Sequence, residues 1–209
     1  MISLFFEVQI KEGEVDRYLN LAAALKPSLD GMGGCLFLDR FQSLRRKNVL
    51  LSYQIWQDEG SLVAWRVHHH HHKVQETGRE RVFDDYRIRV SQVIYEQKPG
   101  GSIWRPERMS PYNDPKRRAP TFAVVSESRQ SKSPLEASFT HEVFESVYRS
   151  GVFAHLIDAS TADDGQRIGR QLLNDPTSEY FRVFEVLRDY GMFNREEAPQ
   201  FYPPVASEP

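Results

Sequence analysis

The sequence predicts an α+β fold: a β-α-β-β-α-β unit followed by a shortened version of the same unit. Three observations predict it. Strand-like and helix-like periodicities alternate in that order through about residue 95. The strands are apolar on both faces. A second hairpin repeats the first at a fixed offset of 103 residues.

Ile2 to Ile10 is rich in β-branched and aromatic residues and reads as the first strand. Lys11-Glu12-Gly13-Glu14 is a turn. Val15, Tyr18, Leu19, Ala22 and Leu25 follow at helical spacing and predict one amphipathic helix over 14–29, bent or ended by Pro27. Gly31-Met32-Gly33-Gly34 breaks the chain. Cys35 to Ser43 and Val49 to Trp56 are strands joined by the polar turn Arg45-Arg46-Lys47-Asn48. Asp58 or Ser61 caps a second helix reaching about residue 84, with Gly78 its weak point. Asp85 to Tyr95 is the fourth strand. This order is the ferredoxin-like pattern.

Leu50, Ser52, Gln54 and Trp56 share one face of the third strand; Leu51, Tyr53 and Ile55 share the other. Two helices cover only one face of such a sheet. The other face is too apolar to stand open to water, so it packs on a second sheet or encloses a ligand.

Residues 97–120 hold five prolines and read as a linker, laid against a surface by Trp104 and Tyr112. Beyond it, Arg40 to Leu44 aligns with Val143 to Val147, and Val49-Leu50-Leu51 with Val152-Phe153-Ala154. Arg89, Val90 and Val93 align with Arg182, Val183 and Val186 at an offset of 93, which shortens the second helix by about ten residues. Thr121 to Ser128 stands in for the first strand, and the space after it leaves little room for a first helix. The predicted organisation is a first domain over 1–96, a degenerate second copy over 121–195, and an extended tail over 196–209 that packs on the barrel or on a neighbouring subunit. The two sheets close either within one chain or between the chains of a homodimer.

Composition bounds the function. A net charge of −2 gives no general field for nucleic acid or an anionic membrane, so neither is an expected partner. The N-terminal apolar run is about six residues, too short for a signal peptide or a membrane span. Cys35 is the one cysteine, which points to a reducing, cytoplasmic compartment. It reads as a small buried hydrophobe.

The most distinctive segment is Ala64-Trp65-Arg66-Val67-His68-His69-His70-His71-His72-Lys73-Val74-Gln75, with Phe83 and Asp85-Tyr86-Arg87-Ile88-Arg89-Val90 after it. Trp65, His68, His71 and Gln75 keep a spacing that resembles the antibiotic biosynthesis monooxygenase domain of the dimeric α/β barrel superfamily. Phe6-Glu7-Val8 and Asp39 to Leu44 resemble it too, over about residues 1–95. The resemblance implies an apolar pocket between sheet and helices, and in some members oxidation of aromatic or quinol-like molecules by dioxygen with no cofactor. On that reading the candidate catalytic residues are His68 and His71 as base, beside Trp65. Tyr53, Trp56 and Tyr86 would contact the substrate, with Arg87 or Arg89 on an oxyanion. Ser61 and Gln75 stand where cofactor-free and haem-degrading members, respectively, carry an asparagine and a histidine. The alternatives are a non-catalytic barrel that binds a small molecule or serves assembly, and haem oxygenation. Residue by residue, Trp65 also reads as a core anchor, and Arg87 and Arg89 as partners of Asp39 or Glu7. His68 and His72 have metal-compatible spacing but no third ligand nearby, so no metal is expected.

Overall fold

A computed structural model describes residues 1–107, 121–135, 141–199 and 203–206. The predicted strands form where the alternation places them: β1 (Ile2–Ile10), β2 (Cys35–Ser43), β3 (Val49–Trp56) and β4 (Phe83–Gln97). They lie in the order β4-β1-β3-β2, an antiparallel ferredoxin-like sheet. A two-residue strand, β5 (Ile103–Trp104), pairs with the end of β4. The rest of the linker, with Tyr112, lies outside the described residues.

The helices depart from expectation. The single helix over 14–29 is two, α1 (Val15–Ala24) and α2 (Lys26–Met32). The interruption falls at Leu25, just before Pro27, which cannot continue α1 and sits instead in the first turn of α2, where its missing N–H costs nothing. The long second helix is also split, into α3 (Glu59–Arg66), α4 (His69–Thr77) and a π-turn over Gly78–Val82. Asp58 caps α3, accepting from the Ser61 N–H at 2.8 Å. His68 has extended backbone between α3 and α4. Gly78 lets the chain pass the Phe83 ring, which a Cβ would meet at 2.4 Å.

The second half contributes β6 (Thr121–Ser128), β7 (His141–Ser146), β8 (Phe153–Ala159), α5 (Ala162–Leu172) and β9 (Tyr180–Gly191). Residues 129–135 carry no helix. The strand order is β7-β8-β6-β9. Two seams join the halves: β2 pairs antiparallel with β7, and β4 with β9. With β1 also on β4, the ladder returns to its start, and eight strands close a barrel within one chain. The sheet edges that a partner chain would need are occupied in cis, so the homodimer expected from the resemblance has no strand edge of this barrel to pair with.

The barrel explains the two-faced strands. Phe5, Phe41, Tyr53, Phe144 and Phe184 fill its interior and are fully buried. The outer face of the first half meets α1–α4, and that of the second half meets α5. Every residue of β3 is buried. At about 25 cal/mol per Å² of apolar surface, closing the interior is the largest favourable contribution to the fold.

Polar clusters lock the first seam. The Ser43 hydroxyl donates to Glu142 and accepts from the Arg46 N–H at 2.8 Å. Arg46 pairs with Glu142 and, at 3.0 Å, with Glu7. Across the seam, the Ser146 hydroxyl donates to Asp39 at 2.8 Å and accepts from the Arg149 N–H at 3.0 Å. Arg149 pairs with Asp39 at 2.6 Å and Glu127 at 2.7 Å. Asp39 and Glu127 are almost fully buried, so removing their cation leaves two carboxylates in a dry site. Arg149→Met is expected to cost roughly 3 kcal/mol in urea unfolding, and Arg46→Met, whose carboxylates are better hydrated, clearly less. Equal losses would contradict this account.

Candidate active site

The main cavity of the described residues lies between the outer face of the first sheet and α1–α4, with a volume of about 1110 Å³. Its floor is set by strand alternation: Leu4 and Phe6 of β1, Leu38 and Arg40 of β2, Ser52 and Gln54 of β3. Leu25 and Leu29 wall one side, and Leu62 and Trp65 another. The second half completes it with Tyr148, Arg188 and Tyr190. Pro199 and Pro203 of the tail also line it, and the Ala206 N–H donates to the Val67 carbonyl at 3.0 Å. Residues 203–206 thus lie beside the end of α3; Phe201 and Tyr202 lie outside the described residues.

In the second half, the helix lies close on its sheet. Cβ atoms on Gly165 and Gly169 would fall 2.6 Å from Val183 and 2.0 Å from Phe181. These two glycines let α5 lie directly on its sheet, where the first half holds its helices away.

Trp65 and His71 come together in the cavity. Their rings stack at 4.3 Å with an interplanar angle of 13°. The His71 Nδ1 sits 2.8 Å from the Trp65 carbonyl and 2.9 Å from the Gln75 amide nitrogen, which also lies 3.5 Å from Nε2; with the proton on Nδ1 shared with the carbonyl, Nε2 is the acceptor. Gln75 lies beside the ring and donates to the Arg66 carbonyl at 3.2 Å. Burial is the main cause of a His71 pKa pushed down to about 4; the Trp65 carbonyl opposes it, and the charges of Arg66, His68 and Arg40 add to it. The imidazole is therefore neutral at pH 7. His68 is placed differently. It sits at the α3–α4 break, 5.6 Å from the Trp65 ring, and does not line the cavity.

The predicted substrate contacts divide between the two sheet faces. Tyr86 lines the cavity, its hydroxyl accepting from Arg195 at 3.1 Å. Trp56 shares the face of the floor but is fully buried under the helices and does not line the cavity; it donates to Gln54 at 3.0 Å, and Gln54 donates in turn to the Ser52 hydroxyl at 3.0 Å. Ser52 also lines the cavity. Tyr53, Arg87 and Arg89 do not reach this space. Tyr53 is inside the barrel, stacked on Phe5 at 5.3 Å, and accepts from Arg182 at 2.9 Å; burial pushes its hydroxyl up to about 12. Arg89 is buried and pairs with Asp158 at 2.8 Å, and Arg87 pairs with Asp189 at 2.5 Å. Their partners are second-half carboxylates, rather than Asp39 or Glu7. The reason is the pleat: Tyr53 of β3 and Arg87 and Arg89 of β4 lie on the face away from the cavity, where the other half supplies the counter-charge.

Sequence reasoning missed Arg40, Ser52, Gln54 and the Glu59–Arg188 ion pair that lines the cavity. Arg40 had a readable signal, a cation on the strand face that also carries Leu36 and Leu38. Tyr148 and Arg188 had none, because they arrive from the other half. Among the described residues no cluster of His, Cys, Asp or Glu could hold a metal, and no helix is long and apolar enough to cross a membrane.

The sequence profile described as antibiotic biosynthesis monooxygenase matches residues 1–77. A jasmonate monooxygenase ABM from Pyricularia oryzae is 31% identical over 217 residues, 99% of this chain and 100% of that protein. Two solved structures are similar more loosely. A conserved Methanosarcina mazei protein has 24% identity, a TM-score of 0.40, and covers 43% of this chain and 88% of its own. A Fusobacterium nucleatum protein has 10% identity, a TM-score of 0.44, and covers 97% of each chain. Neither structure bears on the site.

Two outcomes follow from the geometry. His71 binds its proton at about 4 in the folded chain, below the ordinary histidine value of about 6.5. The unfolded chain therefore takes up more protons between those values, and stability falls as pH drops through that window. His155, also lowered by burial, adds the same sign. Urea midpoints measured from pH 7 to 4 should decline, and His71→Gln should flatten part of the slope. Separately, Gly169→Ala should cost about 1–3 kcal/mol in the same assay, through the clash with Phe181.

Proposed function

The chain belongs to the antibiotic biosynthesis monooxygenase family, and from that premise we propose that it oxygenates an apolar small molecule in the sheet–helix cavity without a bound cofactor. The observation that carries the proposal is the Trp65–His71 pair, a neutral imidazole beside the Gln75 amide inside a large, mainly apolar space. In a cofactor-free reaction the substrate supplies both electrons. His71 Nε2 would take a proton from an acidic C–H or O–H conjugated to a carbonyl, and the resulting carbanion would reduce dioxygen and combine with it. Loss of water from the hydroperoxide leaves a new carbonyl, so that a CH₂ group and O₂ become C=O and H₂O. The Ser52 hydroxyl would donate to the oxyanion formed on deprotonation. Aromatic or quinol-like substrates suit this chemistry, and the name of the full-length relative adds jasmonate-like ketones.

We also infer that 121–195 is a second copy of 1–96, joined by a linker over 97–120, and that it now serves as a built-in partner. The seam registers support this. Gln42 pairs with Glu145 and Gln92 with Glu185, each residue opposite the one that the sequence offset makes its equivalent. Phe41 pairs with Ser146 while Ser43 pairs with Phe144, as a two-fold axis requires. Asn48 and Gly151, equivalent turn residues, both have positive φ, at 59° and 68°.

An oxygen electrode tests the activity, with anthrones, hydroquinones and jasmonate as substrates. Uptake by the wild type should fall at least 100-fold in kcat for His71→Ala. Tyr53→Phe, on the other sheet face, should keep kcat within about twofold, on the order of 0.4 kcal/mol. If His71→Ala consumes oxygen as the wild type does, the base assignment fails. No uptake with any of these substrates favours the non-catalytic binding barrel.

A further inference from the structure

Arg40 lines the cavity with no carboxylate partner among the described residues, whereas two neighbouring cations are paired. Lys26 is neutralised by Asp30 at 2.7 Å, and Arg188 by Glu59. Arg40 meets hydroxyls instead. Its guanidinium donates to the Tyr148 hydroxyl at 3.5 Å and lies 6.0 Å from the centre of the Tyr18 ring. No described carboxylate pairs with it, and its Nε is buried with no hydrogen-bond partner. A buried, unmatched donor on a charged group is costly, and such a group is usually satisfied by a ligand or water when it is retained. Burial works against the charge, but the Tyr18 and Tyr148 hydroxyls more than offset it and hold Arg40 above its ordinary value. The guanidinium therefore stays charged.

We propose that Arg40 is the anion anchor of the cavity, and that the substrate is an amphipathic carboxylic acid whose carboxylate pairs with the Arg40 guanidinium while its apolar body lies along Leu25, Leu29, Leu38 and Trp65. This rests on the cavity being the reaction site. A planar oxyanion fits the edge of a guanidinium side-on, through parallel N–H donors. The rest of the lining is apolar enough to bury a ring or a short chain. Tyr148 makes the anchor a product of both halves. It reaches Arg40 from the β7–β8 turn, which the Val147 N–H ties to the Arg40 carbonyl at 2.8 Å.

Calorimetry with jasmonic acid against methyl jasmonate, and decanoate against methyl decanoate, tests this at pH 7. The wild type should bind at least one acid 10-fold or more tighter than its ester. Arg40→Gln should abolish that preference without changing affinity for the ester, and Arg40→Lys should restore part of it. In turnover, Arg40→Gln should raise KM for an acid and leave kcat within a few-fold. No acid preference in either pair, or a preference that survives Arg40→Gln, overturns the anchor. Oxygen uptake with the esters separates the two ideas: uptake without acid preference removes the anchor and keeps the oxygenase, whereas acid preference without uptake keeps the anchor alone.

Discussion

The β2–β7 seam, with its reciprocal serine–arginine–carboxylate clusters, is the constraint on which the rest depends. An antiparallel sheet that is apolar on both faces cannot stand in water on its own. Pairing β2 to β7 and β4 to β9 turns the exposed face inward and removes two strand edges at once. The seam itself is short, three residue pairs between β2 and β7, so side chains reinforce it. Ser43 and Ser146 each cap the turn after their own strand and donate across to the other half. Arg46 and Arg149 then supply the positive charge that makes burying the opposing carboxylates tolerable. Such pairs fix the register of the seam more than they add stability.

Closure leaves the outer faces free to differ. On the second half, Gly165 and Gly169 remove the side chains that would hold α5 off the sheet, and Ile168, Leu172, Phe181 and Val183 fill the space. On the first half, bulky residues and a break at Val67–His68 keep α3 and α4 raised over the floor. One barrel thus carries one open site and one sealed face. The sealed half still acts on the open one, because its turn and its last strand bring Tyr148 and Arg188 into the cavity.

Much of this was legible in the sequence. Period-2 and period-3.6 patterns gave every long strand and placed the helices, since local sterics and one-sided burial determine both. The offsets of 103 and 93 residues were read as a repeat; that Gln42 meets Glu145 and Gln92 meets Glu185 across the seams is shown only by the structure. Trp65 and His71 were legible from spacing. Less so were the breaks at Leu25 and Val67, because Pro27 also starts helices well and nothing local marks Val67, whose carbonyl accepts from the distant Ala206.

The amino-acid sequence by itself determined the strand order, the two-faced strands, the turn chemistry and the Trp65–His71 motif, because each follows from residues a few positions apart. Only the tertiary structure decided which face of each strand meets the cavity. Tyr53 and Arg89 look as functional in sequence as Tyr86, yet they face the barrel interior, while Arg40 faces the site. The reason is physical. Alternation tells which residues share a face, but which face receives the helices and which receives a second sheet is set by closure, through contacts a hundred residues apart.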